Sequence, residues 1–203
     1  MTTPQTLTKP DLTALLGSRI CHDLISPLGA IGNGVELLAM AQASDSPELS
    51  LISESVENAN ARIRFFRVAF GAADTDQQIA RREVCSILTA YCKAGRISID
   101  WQVTADPIRA TAKLAFLLIQ CLETAMPFGG QIVVTEDSGR WQLEGRTKKL
   151  KIEPELWEVL SNPTAAQQVR PAEVQFALVP QTIHDLNRKL QVSVEDGGVR
   201  ISF

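Results

Sequence analysis

The stretch "CHDLISPLGAIGNGVELL", residues 21 to 38, carries His22, one of two histidines in the chain, with Asp23 directly after it and Pro27 close behind. An imidazole near its ordinary pKa of about 6.5 is mostly neutral at cytoplasmic pH, and a ring nitrogen then has a lone pair for attack on an electrophile. Asp23 could accept the N–H of the other ring nitrogen, fixing the tautomer and stabilising the charge that develops. At about 100° per residue, Ile20, Leu24, Leu28, Ile31, Val35 and Leu38 gather on one side of a helix, with Arg19, His22, Ser26, Gly29 and Asn33 opposite. His22 is therefore predicted to face water. Pro27 removes the amide that would bond the Asp23 carbonyl, so the helix should bend one turn past the histidine. Gly29 lies on the histidine face, where a missing side chain lets a partner's backbone approach. Gly32 and Gly34 have no reading beyond close packing.

A reactive helix needs a support. From about residue 8 to residue 72 the pattern is helical throughout, interrupted by "MAQASDSPE", where Ser46 suits a helix cap and Pro47 a first turn. In the second helix Leu49, Ile52, Val56, Ala59, Ile63, Phe66 and Phe70 recur at alternating spacings of three and four, a coiled-coil type of seam. Two helices cannot enclose a core alone. The hairpin is predicted to form a four-helix bundle by homodimerisation, with Leu24, Leu28, Ile31, Ile52, Val56, Ile63 and Phe66 in the seam.

After "GAADTDQQ" the grammar changes. A helix around Ile79 to Lys93 leads to the alternating "ISIDWQV" and a long helix from Pro107 to Met126. The strands "QIVVTED" and "RWQLEGR" then flank Ser138-Gly139, a short helix falls near "PELWEVL", and a last helix is expected near Pro180 to Leu190. The chain ends in the hairpin "QVSVEDGGVRISF". The fold class is α+β: residues 1–72 form the helical hairpin, residues 73–203 an α/β sandwich of one sheet covered by helices, and the boundary lies near 71 to 76.

Composition narrows the function classes. With 203 residues and a net charge of −3 there is no basic footprint for nucleic acid. Cys21, Cys85, Cys92 and Cys121 form no C-x-x-C pair and the opening lacks an apolar leader, which fits a reducing cytoplasm. No residue set has metal-ligand spacing. The longest apolar runs, such as "LAFLLIQCL", are too short to span a bilayer, so no membrane partner is expected.

"HDLISPLGAI" resembles the H-box of sensor histidine kinases, H-[ED]-x-x-x-P-[LI]-x-x-[IL], which His22, Asp23, Pro27, Leu28 and Ile31 fill position by position. The resemblance implies that His22 is a phosphoacceptor and Asp23 its acid/base neighbour, on a dimerising phosphotransfer hairpin. The second half is similar in layout to the kinases' ATP-binding domain, but its nucleotide motifs are eroded. Gln120 and Thr124 replace the two asparagines of the N-box and Pro127 the basic residue after it. Glu144 and Gly145 remain of a D-x-G-x-G run. "AEVQFALVP" has no glycine where a phosphate loop belongs, and Val174, Gln175 and Phe176 are poor material for one. A phosphoacceptor hairpin with a silent ATP domain resembles the ChpT-like histidine phosphotransferases over essentially the whole length.

That family implies a multistep phosphorelay. A phospho-aspartate on one receiver domain, that of a hybrid kinase, gives its phosphoryl group to His22, and a response-regulator receiver takes it, in cell-cycle control. The chain itself would carry no cofactor: ATP is not expected to bind, and Mg²⁺ would come with the receiver. Receiver docking is expected on Arg19, Ser26, Gly29, Ala30, Asn33 and Leu37. Arg62, Arg64 and Arg67 read either as contacts to an acidic receiver or as a solvated face, and His184 as a helix surface. Three other readings stay open: a kinase with a divergent ATP site, a non-catalytic dimeric adaptor for receivers, and a receiver phosphatase using Ser26.

Overall fold

The computed structural model describes residues 19–20, 23–24, 27–34, 37–38, 47–71, 73, 77–162 and 169–203. Its first helix, α1, comprises the helical residues from 19 to 38 among these, and the second, α2, spans Pro47–Ala69. Glu48 in the first turn and Arg67 in the last complement the dipole of α2. The two run antiparallel. A Cβ on Gly34 would run into the Ile52 side chain and come within 3.2 Å of the Glu48 carbonyl oxygen, so this glycine is the notch that lets the helices close. At Gly29 and Gly32 a Cβ would meet nothing within 4 Å.

The remaining elements are α3 (Arg81–Lys93), β1 (Ile97–Trp101), α4 (Arg109–Ala125), β2 (Gly130–Asp137), β3 (Arg140–Arg146), α5 (Pro154–Glu158), a 3₁₀ turn (Pro171–Glu173), α6 (Val174–Asp185), β4 (Gln191–Glu195) and β5 (Gly198–Ser202). They build one five-stranded sheet in the order β1-β2-β3-β5-β4. The β1–β2 pair is parallel, as a connection through α4 requires, and the other pairs are antiparallel. Ser138 and Gly139 both take positive φ, 52° and 83°, the backbone of a two-residue hairpin turn. Nothing in the local sequence caps α3; its first amide is satisfied by Asp106, whose Oδ1 accepts from Arg81 N at 2.7 Å.

Helix α4 is apolar nearly all round because it is covered on several sides, by the sheet, by α6 and by α2. The C-terminal end of α2 belongs to the same core: Phe65 is fully buried, stacked on Tyr91 at 4.2 Å and packed on Phe116 at 4.7 Å. Hence a first correction. Phe66 is only 4% exposed within its own chain, so it is not a residue a second copy could cover. The seam positions Leu28, Val56 and Ile63 are by contrast 58%, 39% and 40% exposed, and Leu24, Ile31 and Ile52 are half-buried.

A second correction concerns the last helix. It begins at Val174, not near Pro180, and ends at Asp185, not near Leu190. Pro180 lies inside it, because burying Val174, Phe176 and Val179 outweighs the lost amide bond. Asn187, with φ 50°, supplies the left-handed residue just past the end.

Candidate functional site

His22 and Ser26 lie outside the described residues, as does the stretch just before Pro27 on which the expected helix bend falls. The site is therefore built from what surrounds them. Asp23 presents a side chain only 7% exposed, and two guanidiniums meet the same oxygen: Arg19 Nη2 lies 2.8 Å and Arg62 Nη1 3.6 Å from Oδ2. Burying a carboxylate at this depth is costly unless it is paired, and these arginines pair it.

Both arginines also reach the C-terminal half. Arg19 Nη1 donates to the Ala172 carbonyl oxygen at 2.7 Å, in the 3₁₀ turn before α6. The Arg62 guanidinium lies 5.8 Å from the ring centre of Tyr91 on α3. Tyr91 in turn donates its hydroxyl to Glu123 Oε2 of α4 at 2.8 Å. Burial pushes the Tyr91 phenol well above its ordinary value and raises the Glu123 carboxyl, while the Tyr91 hydrogen bond and the charges of Arg62 and Arg19 pull Glu123 back down.

Beside this network opens a groove of about 360 Å³ lined by Asp23, Pro27, Ala30, Ser55, Asn58, Arg62 and Ala94. A larger hollow of about 980 Å³ lies at one end of the sheet, among Arg96, Phe128, Arg146, Lys148 and Arg200, and no residue of α1 or α2 lines it. Size favours the second and chemistry the first. Only the smaller groove borders the H-box residues.

Of the expected docking residues, Gly29, Asn33 and Leu37 are exposed and Ala30 is half-buried beside the groove. Arg19 differs. Its guanidinium is turned inward to Asp23 and Ala172, since a nearby buried carboxylate and an open carbonyl offer it stronger partners than water does. His184 stands on the surface of α6, its side chain 89% exposed. Tyr91 and Glu123 were not singled out from the sequence. The signal was present: the one charged residue of the largely apolar "LLIQCLETAM", and the only tyrosine of the chain, each call for a partner when half-buried.

Three of the eroded nucleotide positions, Gln120, Thr124 and Gln175, meet between α4 and α6. Gln120 is buried; Thr124 Oγ1 donates to the Gln120 carbonyl within α4 and accepts from Gln175 Nε2 at 3.2 Å. Gly145 packs against Leu122 of α4 and Met126 just past its end, so Glu144 next to it faces the other side of the sheet, where Arg146 and Arg200 pair with it. Val174, Gln175 and Phe176 are buried in α6, and Trp157 of α5 packs edge-on against Phe176 at 5.5 Å.

Residues 81–198 match the family model described as histidine phosphotransferase C-terminal domain. The protein phosphotransferase ChpT of Brucella abortus (strain 2308) is 35% identical over 182 residues, covering 86% of this chain and 86% of that protein. A solved bacterial phosphotransferase superposes with a TM-score of 0.81 at 31% identity, over 99% of each chain. Together with the hairpin and the five-stranded sheet, these likenesses establish that the chain belongs to the histidine phosphotransferase family.

Proposed function

We propose that the chain is the histidine phosphotransferase of a phosphorelay, with His22 as phosphoacceptor. A ring nitrogen attacks the phosphorus of a receiver's aspartyl phosphate; the N–P bond forms as the acyl P–O bond breaks, and the aspartate leaves as a carboxylate. The second half reverses this on another receiver's aspartate. Transfer of this kind asks mainly for in-line positioning and charge neutralisation. Asp23, one residue from His22 and held by two arginines at the edge of an open groove, is the observation that carries the reading. The Brucella relative, named a protein phosphotransferase, supports it.

The receiver docks along the exposed face that includes Gly29, Asn33 and Leu37, beside Ala30, and brings its own Mg²⁺. ATP is not a ligand: Val174, Gln175 and Phe176, where the resemblance places a phosphate loop, are buried in α6, and Trp157 packs against Phe176. The protein works as a homodimer whose four-helix bundle buries Leu28, Val56 and Ile63, which a single chain leaves exposed. Its donors and acceptors are the receivers of a hybrid kinase and of response regulators, in the cytoplasm. Among the described residues no helix is long and apolar enough to cross a membrane.

The test is direct. The chain is mixed with a receiver carrying labelled aspartyl phosphate, and acid-labile, base-stable label is expected on the wild type and absent from His22→Ala. Label on the alanine variant, or label on the wild type from ATP alone, overturns the proposal.

A further inference from the structure

We infer that Arg62 is a positioning residue for the transfer, held in place by the C-terminal domain through Tyr91 and Glu123, so that this domain sets the orientation of Asp23. The inference rests on His22 being the phosphoacceptor.

Three charged side chains meet at one turn of α1, Asp23 and Arg19 from α1 and Arg62 from α2, and a fourth, Glu123 of α4, stands behind Tyr91. Taking them even partly out of bulk water is costly for each ion before any pairing is recovered. Apolar residues would join hairpin and sheet more cheaply, as Phe65 does a turn away between Tyr91 and Phe116. The charges are therefore not needed to hold the halves together. Their common focus is Asp23, on whose Oδ2 both guanidiniums converge.

The two arginines are not equivalent. Arg19 is a fixed strut, 15% exposed and bonded to Asp23 and to the Ala172 carbonyl. Arg62 is 34% exposed, lines the groove, and holds Asp23 at a longer 3.6 Å. A long side chain half in water samples many rotamers, and here the Tyr91 ring lies beneath its guanidinium as a platform. The Tyr91 hydroxyl is itself tied to Glu123, and its ring to Phe65. The chain Glu123–Tyr91–Arg62–Asp23 thus runs from α4 of the C-terminal domain to the residue beside the phosphoacceptor. A carboxylate gripped from two sides keeps one orientation while a neighbouring ring gains and loses charge, which is what an orienting acid/base group must do.

The experiment measures single-turnover transfer from a phosphorylated receiver over a range of receiver concentrations, for wild type, Arg62→Gln, Arg62→Lys, Tyr91→Leu and the double variant Arg62→Gln/Tyr91→Leu. Arg62→Gln is expected to lower the rate constant at saturating receiver by about ten- to a hundredfold. The receiver concentration at half-saturation should stay within about twofold, since a positioning residue acts on the transition state and not on docking. Arg62→Lys should restore part of the rate, because it keeps the charge but not the planar fork. Tyr91→Leu should slow transfer in the same way, and the double variant should be no slower than Arg62→Gln alone, because the two act as one unit. Arg62→Lys and Tyr91→Leu keep the question answerable if Arg62→Gln does not fold. Unchanged rate constants in the single variants, additive losses in the double variant, or a change confined to half-saturation overturn the inference. His22→Ala, run alongside, separates the two levels: label persisting on it defeats the phosphoacceptor assignment itself, whereas its loss with unaffected Arg62 and Tyr91 variants defeats only the positioning role.

Discussion

Arg19 donates to the carbonyl oxygen of Ala172, 153 positions further along the chain, while the same guanidinium grips Asp23 at 2.8 Å. One side chain so ties the turn of α1 that carries Asp23 to the turn that starts α6. Arg19→Ala removes both bonds and takes the nearer guanidinium from a mostly buried carboxylate, so a loss of about 2 kcal/mol is expected. A urea titration reads it as a lower midpoint at unchanged slope. An unmoved midpoint would mean the tie carries no net stability.

The Glu123 carboxyl has a pKa raised above its ordinary 4.5, chiefly by burial, with Asp23 adding to the rise and Tyr91, Arg62 and Arg19 opposing it. A group that binds its proton more tightly folded than unfolded favours the folded state most at low pH. Its contribution is lost as pH climbs from 4.5 through the raised value. Glu123→Gln keeps an acceptor for the Tyr91 hydroxyl but cannot titrate. The difference in unfolding free energy between variant and wild type should therefore shift toward the variant as pH rises across that window. Denaturation curves at a series of pH values test it, the other groups cancelling in the difference.

Two glycines of α1 should respond to alanine with opposite signs. At Gly32 a Cβ meets open space and replaces a poor helix former, so Gly32→Ala is expected to stabilise by about 1 kcal/mol. At Gly34 it collides with Ile52, and overpacking of that kind costs about 1 to 3 kcal/mol. Thermal melts of the two variants side by side give the comparison; equal shifts would contradict the helix contact described for Gly34.

Gly29 is as open as Gly32 and lies on the proposed docking face. Gly29→Ala should raise stability to a similar extent, about 1 kcal/mol, and yet slow phosphoryl transfer by weakening receiver binding. Transfer as fast as in the wild type would remove Gly29 from the docking surface.

Val56 and Ile63 leave apolar surface open on the side of α2 that the C-terminal core does not cover. Val56→Asp and Ile63→Asp should turn a dimer into a monomer in sedimentation velocity, with the far-ultraviolet spectrum unchanged, because a charge cannot enter a dry bundle seam. A wild type that sediments as a monomer defeats the four-helix bundle.

What the sequence reveals of this molecule follows the range of its signals. Alternating strands around Ser138-Gly139, and a helix starting at Pro47, are written within a few neighbouring residues, and they are found where expected. Pro180 misleads because a single residue reads as a helix start, whereas burial of Val174 to Val179 is a property of the assembled core. The charges around Asp23 are the extreme case. Asp23 stands next to His22 in the chain and is legible as a site residue, but Arg62, Tyr91 and Glu123 come from three other helices, and no local pattern announces their meeting. The inward turn of Arg19 is hidden for the same reason, since helical phase alone places it beside Ser26 and Gly29 on the water side.

Phe65, wedged between the rings of Tyr91 and Phe116, has a kinetic consequence. Swinging the hairpin away from the sheet would expose three aromatic faces to water at once, so there is no cheap hinge here. A receiver that docks as proposed should meet a hairpin already seated on its own C-terminal core. The chain should accordingly melt in one cooperative step, reactive turn and sheet together.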